Sequence, residues 1–272
     1  MTNLVVQNFA ANVALNVGGS PIMSSDGNEA SDLAALGGSL VINMGTASPD
    51  GLANYTIALR AYNNAGNPVL LDPVGGGATA IRRSAVRHLM GAGYFTIIKG
   101  NEAEIMTVLR EGAGPGSRIT AEAATAQHGV DSGPDSGLTS DDKANIVSKL
   151  AARERCVILM TGATDFVSDG QRTYAISNGH AYLGGVTGTG CTVGTTIAAF
   201  AAVEREDTLL AVLAGLLMYE IAAERAASRD DVRGPGSFVP AFLDELFSVR
   251  EESKRGDGRW IEAAKVRQME LN

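Results

Sequence analysis

Apolar positions Val6, Phe9, Ala10, Val13 and Val17 recur at helical spacing, so the chain is predicted to open on a helix with Thr2 or Asn3 as its cap. The period then changes. Residues 39–44 (SLVINM) form a short continuous apolar run that stops at Gly45, as expected of a strand covered on both faces. Helical spacing returns over 52–65 and closes at Gly66 in a C-cap position. The alternation continues with strand 68–71, helix 80–89, strand 95–98 and helix 102–109. Residues 111–139, rich in Gly, Ser and Asp, predict an irregular excursion with a short helix inside. Helix 143–154 and strands 156–160, 165–168 and 172–177 follow, and helices dominate 191–228 and again from Phe238. Beyond Val249 the chain becomes a charged tail, helical or frayed, that carries the only tryptophan, Trp260.

Strands that alternate with helices, and are themselves continuously apolar, predict an α/β fold: a mostly parallel central sheet with helices on both faces. No internal repeat or long linker divides the chain, so one domain is expected over 1–249, with 250–272 as the tail. Ligands of such sheets bind at the carboxyl ends of the strands. The unusual motifs all fall there: NMGT (43–46), DPVGGG (72–77), KGNEAE (99–104), MTG (160–162) and GTGC (188–191). They are predicted to form one site.

Composition narrows the chemistry. A net charge of −8 over 272 residues argues against general nucleic-acid binding, and no apolar run is long enough to span a bilayer. The N-terminus lacks a basic stretch before its apolar residues, as a signal peptide would have. Two distant cysteines, Cys156 and Cys191, fit a reducing, cytoplasmic compartment, and scattered His88, His128 and His180 give no zinc pattern. Neither GxxxxGK[ST], GxSxG nor a dinucleotide GxGxxG fingerprint is present.

The run from Val186 to Gly194 opens a predicted helix, and a helix start offers unpaired N–H groups and partial positive charge to an anion. Gly188 and Gly190 would let the backbone come close, with Cys191 at the mouth; tight strand–helix packing is the rival reading. Asp72, closing a strand, suits a metal–phosphate complex or a plain turn. Glu104 suits water-mediated magnesium binding or compensation of a helix dipole. Lys99 is a cation for phosphate oxygens or half of a salt bridge. Thr161 is a nucleotide contact or a turn residue, Met23 a ligand contact or core packing, and Cys156 a buried strand residue.

Together the segments TNLVVQNFAANVAL (2–15), GGSPIM (18–23), INMGT (42–46), PVLLDPVGGGAT (68–79), IIKGNEAEI (97–105), HGVDS (128–132), MTGATDFVSDG (160–170) and VTGTGC (186–191) resemble the hydroxyethylthiazole kinase family. The resemblance implies a ribokinase-like fold and ATP-dependent phosphorylation of 5-(2-hydroxyethyl)-4-methylthiazole in thiamine biosynthesis. It implies that Cys191 is catalytic, that Asn3, Met23 and Gly188 meet the thiazole, and that Lys99, Asn101, Thr161, Thr189 and Gly190 meet ATP. Asp72 and Glu104 would serve magnesium. It also implies a homotrimer with sites between subunits. Residues 231–246 (DVRGPGSFVPAFLDEL) look more like the fungal form, in which the kinase follows a thiamine-phosphate synthase half. Three departures stand out. The family carries a strand before the Thr2-Asn3 equivalent, so the chain is expected to be N-terminally truncated. Lys99 replaces a common arginine and gives up its bidentate fork. Gly76 replaces a common alanine. Two further classes compete: an ATP-dependent hydrate dehydratase, which would carry aspartate in place of Cys191, and a non-catalytic kinase remnant.

Overall fold

The switches in hydrophobic period resolve into a seven-stranded sheet sandwiched by helices in the computed structural model, which describes residues 1–112 and 137–271. In chain order the elements begin with α1 (Gln7–Val17), α2 (Ala30–Ala35), β1 (Leu40–Asn43), α3 (Pro49–Asn64), β2 (Val69–Asp72), α4 (Ala80–Ala92), β3 (Ile97–Asn101) and α5 (Glu102–Glu111). They continue with α6 (Ser140–Glu154), β4 (Val157–Thr161), β5 (Asp165–Ser168), β6 (Thr173–Ile176), α7 (Thr189–Val203), α8 (Thr208–Ala227), α9 (Pro235–Lys254) and β7 (Val266–Gln268). Strands lie in sequence order. β1 to β4 are parallel, and β4 to β7 form an antiparallel meander, so the sheet has a parallel core with an antiparallel extension.

The strands are apolar on both sides because both sides are covered. Leu71, Ile98, Ile158 and Met160 face a core shared with α2 to α6. Leu70, Ile97, Val157 and Leu159 face the opposite core, shared with α1 and α7 to α9. Each fully buried branched side chain contributes about 1.5–3 kcal/mol. Helix starts follow local chemistry: Thr79, Asn101, Thr139 and Asp207 each accept a bond from a first-turn N–H. The cap at Asp207 also splits the helical stretch 191–228 into α7 and α8. Among the described residues, no helix is long and apolar enough to cross a membrane.

Three expectations are revised. The opening helix starts at Gln7, with Val6 in the cap position and no side-chain cap; Asn3 instead accepts the Val5 and Val6 N–H groups upstream of the helix. The short helix α2, in a segment without a clear period, was not foreseen. The tail is neither wholly helical nor frayed. α9 runs to Lys254, Trp260 is buried and donates to Ser253 Oγ at 2.9 Å, and Val266–Gln268 pairs with β6. All three residues of β7 are exposed, so no alternation marked it in the sequence. Residues 113–136, most of the predicted excursion, lie outside the described residues.

If the tail is integral to the fold, Trp260→Ala should cost about 3 kcal/mol, the range for removing a buried aromatic. Urea unfolding followed by circular dichroism checks this; a loss below about 0.5 kcal/mol would make the tail an appendage.

Candidate active site

The parallel strands end side by side, and their last residues are polar. Register sets Asn43 opposite Asp72 and Asn101 opposite Thr161. A chain of hydrogen bonds crosses these ends. Asn3 Nδ2 donates to Asn43 Oδ1 at 2.8 Å, Asn43 Nδ2 to Asp72 Oδ2 at 2.9 Å, and Lys99 Nζ to the same Oδ2 at 3.2 Å. Asp72 and Lys99 are almost wholly buried. Asp72 Oδ1 finds no partner among the described residues, a costly state for a buried carboxylate oxygen.

Glu104 sits one turn into α5. Its Oε1 accepts the Gly75 N–H at 2.9 Å and its Oε2 the Asn101 N–H at 2.8 Å, while Asn101 Oδ1 accepts the Glu104 N–H. This reciprocal pair is a capping box. It ties the glycine loop after β2 to the end of β3.

The start of α7 closes the site from above. Gly188 takes φ +90° and no side chain caps the helix, so first-turn N–H groups remain for a ligand. A Cβ on Gly188 would lie 2.7 Å from Val6 Cγ2, so the N-terminal segment packs directly on this turn. A Cβ on Gly190 would stand 4.0 Å from Lys99 Nζ, which sets the ammonium beneath the helix mouth. Cys191 is half-buried, with Asn3 Nδ2 3.5 Å from its sulfur. Thr189 turns inward, its hydroxyl on the Leu183 and Val186 carbonyls, so only its backbone is left for a ligand.

Electrostatics follow from burial. Burial alone would lower the Lys99 ammonium, but Asp72, Glu104 and Cys191 hold it above its usual range. Burial, reinforced by Asp72, pushes the Glu104 carboxyl up to about 7 against the pull of Lys99 and two backbone bonds. Burial also raises Asp72, opposed by Lys99 and Asn43. The Cys191 thiol is raised by burial and by Asp72, so it rests protonated at neutral pH. The donor set fits magnesium: Asp72 offers a free oxygen, and Glu104, both of whose oxygens are engaged, suits contact through water. The described residues contain no group of three or more His, Cys, Asp or Glu that would form an all-protein cage, so phosphate oxygens and water would complete the shell.

Asp72, Lys99, Asn101, Glu104, Thr161 and the 188–191 turn thus gather at one edge of the sheet, and Asn3 reaches them from the N-terminus. Met23 does not join them within one copy of the chain. It lines an apolar groove of about 780 Å³ between α1, α2, α7 and β1, whose lining excludes Asp72, Lys99 and Cys191. Of two further contributors, Asn43 belongs to the NMGT (43–46) motif already expected at these strand ends, whereas Arg82 had not been singled out. Asn43, a polar residue closing an apolar strand, carried the same signal as Asp72. Arg82, on α4, donates to the carbonyls of Met44, Gly45 and Val74 and fastens the loops after β1 and β2; nothing in the sequence distinguishes it from a surface arginine.

The hydroxyethylthiazole kinase family model matches residues 1–252. A hydroxyethylthiazole kinase from Chloroflexus aggregans is 40% identical over 262 residues, 96% of this chain and 87% of that protein. A probable thiamine biosynthetic bifunctional enzyme of Schizosaccharomyces pombe is 37% identical over 99% of this chain, and the chain spans about half (50%) of its length. Among solved structures, the hydroxyethylthiazole kinase protein from Pyrococcus horikoshii OT3 superimposes with a TM-score of 0.81 at 33% identity, covering 99% of this chain and 92% of that one. A ribokinase-like superfamily protein from Enterococcus faecalis, at 11% identity and a TM-score of 0.60 over 91% and 84% of the two chains, shares the fold.

Glu104 makes the metal-free protein pH-sensitive in a definite direction. Its folded value lies above the ordinary one, so the folded state holds the extra proton. Its stabilising contribution is complete below about pH 4.3, and is lost as pH rises through about 7. Melting temperature without metal should therefore carry a falling component across this window, and Glu104→Gln should remove it. Parallel profiles for the two proteins would refute the assignment.

Proposed function

Because the chain belongs to the hydroxyethylthiazole kinase family, we propose that it transfers the γ-phosphoryl group of ATP to the hydroxyl of 5-(2-hydroxyethyl)-4-methylthiazole, a step of thiamine biosynthesis. One observation carries this reading: an uncapped helix start with Lys99 beneath it, Cys191 on it and a free Asp72 oxygen at the same strand ends.

The nucleotide lies across the ends of β3 and β4, with Asn101 and Thr161 beneath it and its transferring phosphoryl under the amides of residues 188–191. Lys99 and those amides stabilise charge on the phosphoryl oxygens. Asp72, and Glu104 through water, would hold a magnesium ion, which would supply positive charge to the phosphates. The substrate oxygen attacks phosphorus as the bond to the β-phosphate oxygen breaks, through a loose transition state that needs little early deprotonation. Cys191, resting as a thiol and held by Asn3, positions the hydroxyl and acts as a weak base at most. Gly188 keeps the turn open beside the thiazole. Met23 reaches a thiazole from a neighbouring copy in a homotrimer, a reading supported by the exposure of Leu4, Val5, Ile22 and Met23.

Purified protein with Mg-ATP should convert the thiazole alcohol to its phosphate, detected by mass spectrometry. Turnover of pyridoxal or hydroxymethylpyrimidine, but not of the thiazole, would overturn the substrate. Cys191→Ala should slow turnover by roughly 10²-fold, and Cys191→Asp should be tolerated better because its carboxylate is ionised at neutral pH. Accumulation of a phosphocysteine without thiazole would defeat direct transfer.

A further inference from the structure

A second pair of buried acids lies beside the proposed nucleotide site, and the mechanism above does not use it. Asp165 opens β5 and Glu220 lies on the inner face of α8; they are 4% and 6% exposed. Their carboxyl groups lie near enough for each to perturb the other, where α8 packs on β5. Two carboxylates cannot bond one another without a proton between them. Asp165 Oδ1 is already committed, accepting the Gly162 N–H at 2.7 Å. Glu220 Oε2 finds no donor among the described residues. An acceptor buried without a donor is costly, and the cost disappears if Glu220 itself carries the hydrogen.

The position of the pair gives it a role. Gly162 follows Thr161, the last residue of β4, so Asp165 fixes the turn directly after the proposed nucleotide contact. One turn further along α8, Glu224 accepts from Asn178 Nδ2 and from the Gly179 N–H, at 3.2 and 3.0 Å, and pairs with Lys265 at 2.9 Å. The same helix face therefore holds the loop after β5's neighbour β6 as well as the turn between β4 and β5.

We propose that Glu220 is a positioning residue for nucleotide binding: as the neutral acid it donates to Asp165, which holds the Thr161–Gly162 turn in its binding shape. This rests on the reading of the β4 end as the ATP site. The charged and titratable groups around the pair all bear on its proton. Asp165 from β5 and Glu224 from α8 favour the neutral form of Glu220, and Lys99 from β3 favours the anion on Asp165. Lys265 is neutralised by Glu224, and Tyr219 beside Glu220 is engaged with Thr192 and the Thr189 carbonyl. Burial raises Glu220 well above the usual carboxylate range, consistent with the proton residing there. Loss of that proton would put two adjacent buried anions behind the turn and drive them apart.

The test compares wild type, Glu220→Gln and Glu220→Ala in steady-state kinetics between pH 6 and 9, with thermal melting over a wider range. Glu220→Ala should raise KM for Mg-ATP by about tenfold, with kcat and KM for the thiazole alcohol within about twofold. Glu220→Gln, whose amide donates without titrating, should keep a near-normal KM for Mg-ATP at neutral pH. A Glu220→Ala protein with unchanged KM for Mg-ATP would overturn the proposal. Melting needs no nucleotide. A group whose folded value is raised loses its stabilising contribution as pH climbs from about 4.3 through the folded value, so wild type should lose stability relative to Glu220→Gln over that climb. Parallel melting profiles would refute the shared proton whatever the protein binds. A wild type that binds no ATP, while the melting difference persists, would instead refute the kinase reading.

Discussion

One buried ammonium governs the polar edge of this sheet, where the parallel strands end. Lys99 is nearly inaccessible to water, and a lone charge there would be untenable. It is tolerated because Asp72 lies in contact with it and Glu104 close by, and removing one partner of such a pair typically costs about 3–5 kcal/mol. The three groups come from the ends of adjacent strands and the first turn of a helix. Their electrostatic balance therefore fixes where those strands end relative to one another. The balance is incomplete, since two acids face one cation. The excess shows in the Glu104 carboxyl, pushed up to about 7 by burial and by Asp72, and a divalent ion would relieve it.

From that pair, order spreads by ordinary backbone chemistry. Asn43 passes the position of Asp72 on to Asn3, and Asn3 passes it to Cys191. Arg82 ties together the loops that follow β1 and β2. The close approach of Val6 to Gly188 leaves no space for a side chain at the helix mouth. Lys99, Asp72, Asn43, Asn3 and Cys191 are thus linked through a few short hydrogen bonds rather than through a flexible loop.

Much of this was legible in the sequence because the informative residues sit where the hydrophobic period breaks. Asp72 and Lys99 interrupt apolar strands, Asn101 and Glu104 open a helix, and the glycines at 188 and 190 precede another. What escaped notice depends on partners remote in sequence. Asn43 was legible as part of the 43–46 motif, but its bond to Asp72 depends on parallel register, and Arg82 matters because α4 lies over two loops. Glu220 reads as a stray acid in an apolar helix until Asp165, 55 positions away in sequence, is found against it. β7 is an exposed three-residue edge recognisable only through its pairing with β6.

The capping box at Asn101 and Glu104 has a mechanical side. Both oxygens of Glu104 are pinned by backbone groups, one from the glycine loop after β2 and one from the end of β3. The carboxylate that senses the charge of the pocket is therefore also the peg on which two loops hang. A ligand that pulls on it must either act through water or let both loops go, so the charge state and the shape of this edge are a single variable. Amide exchange at Gly75 and Asn101 would register both at once.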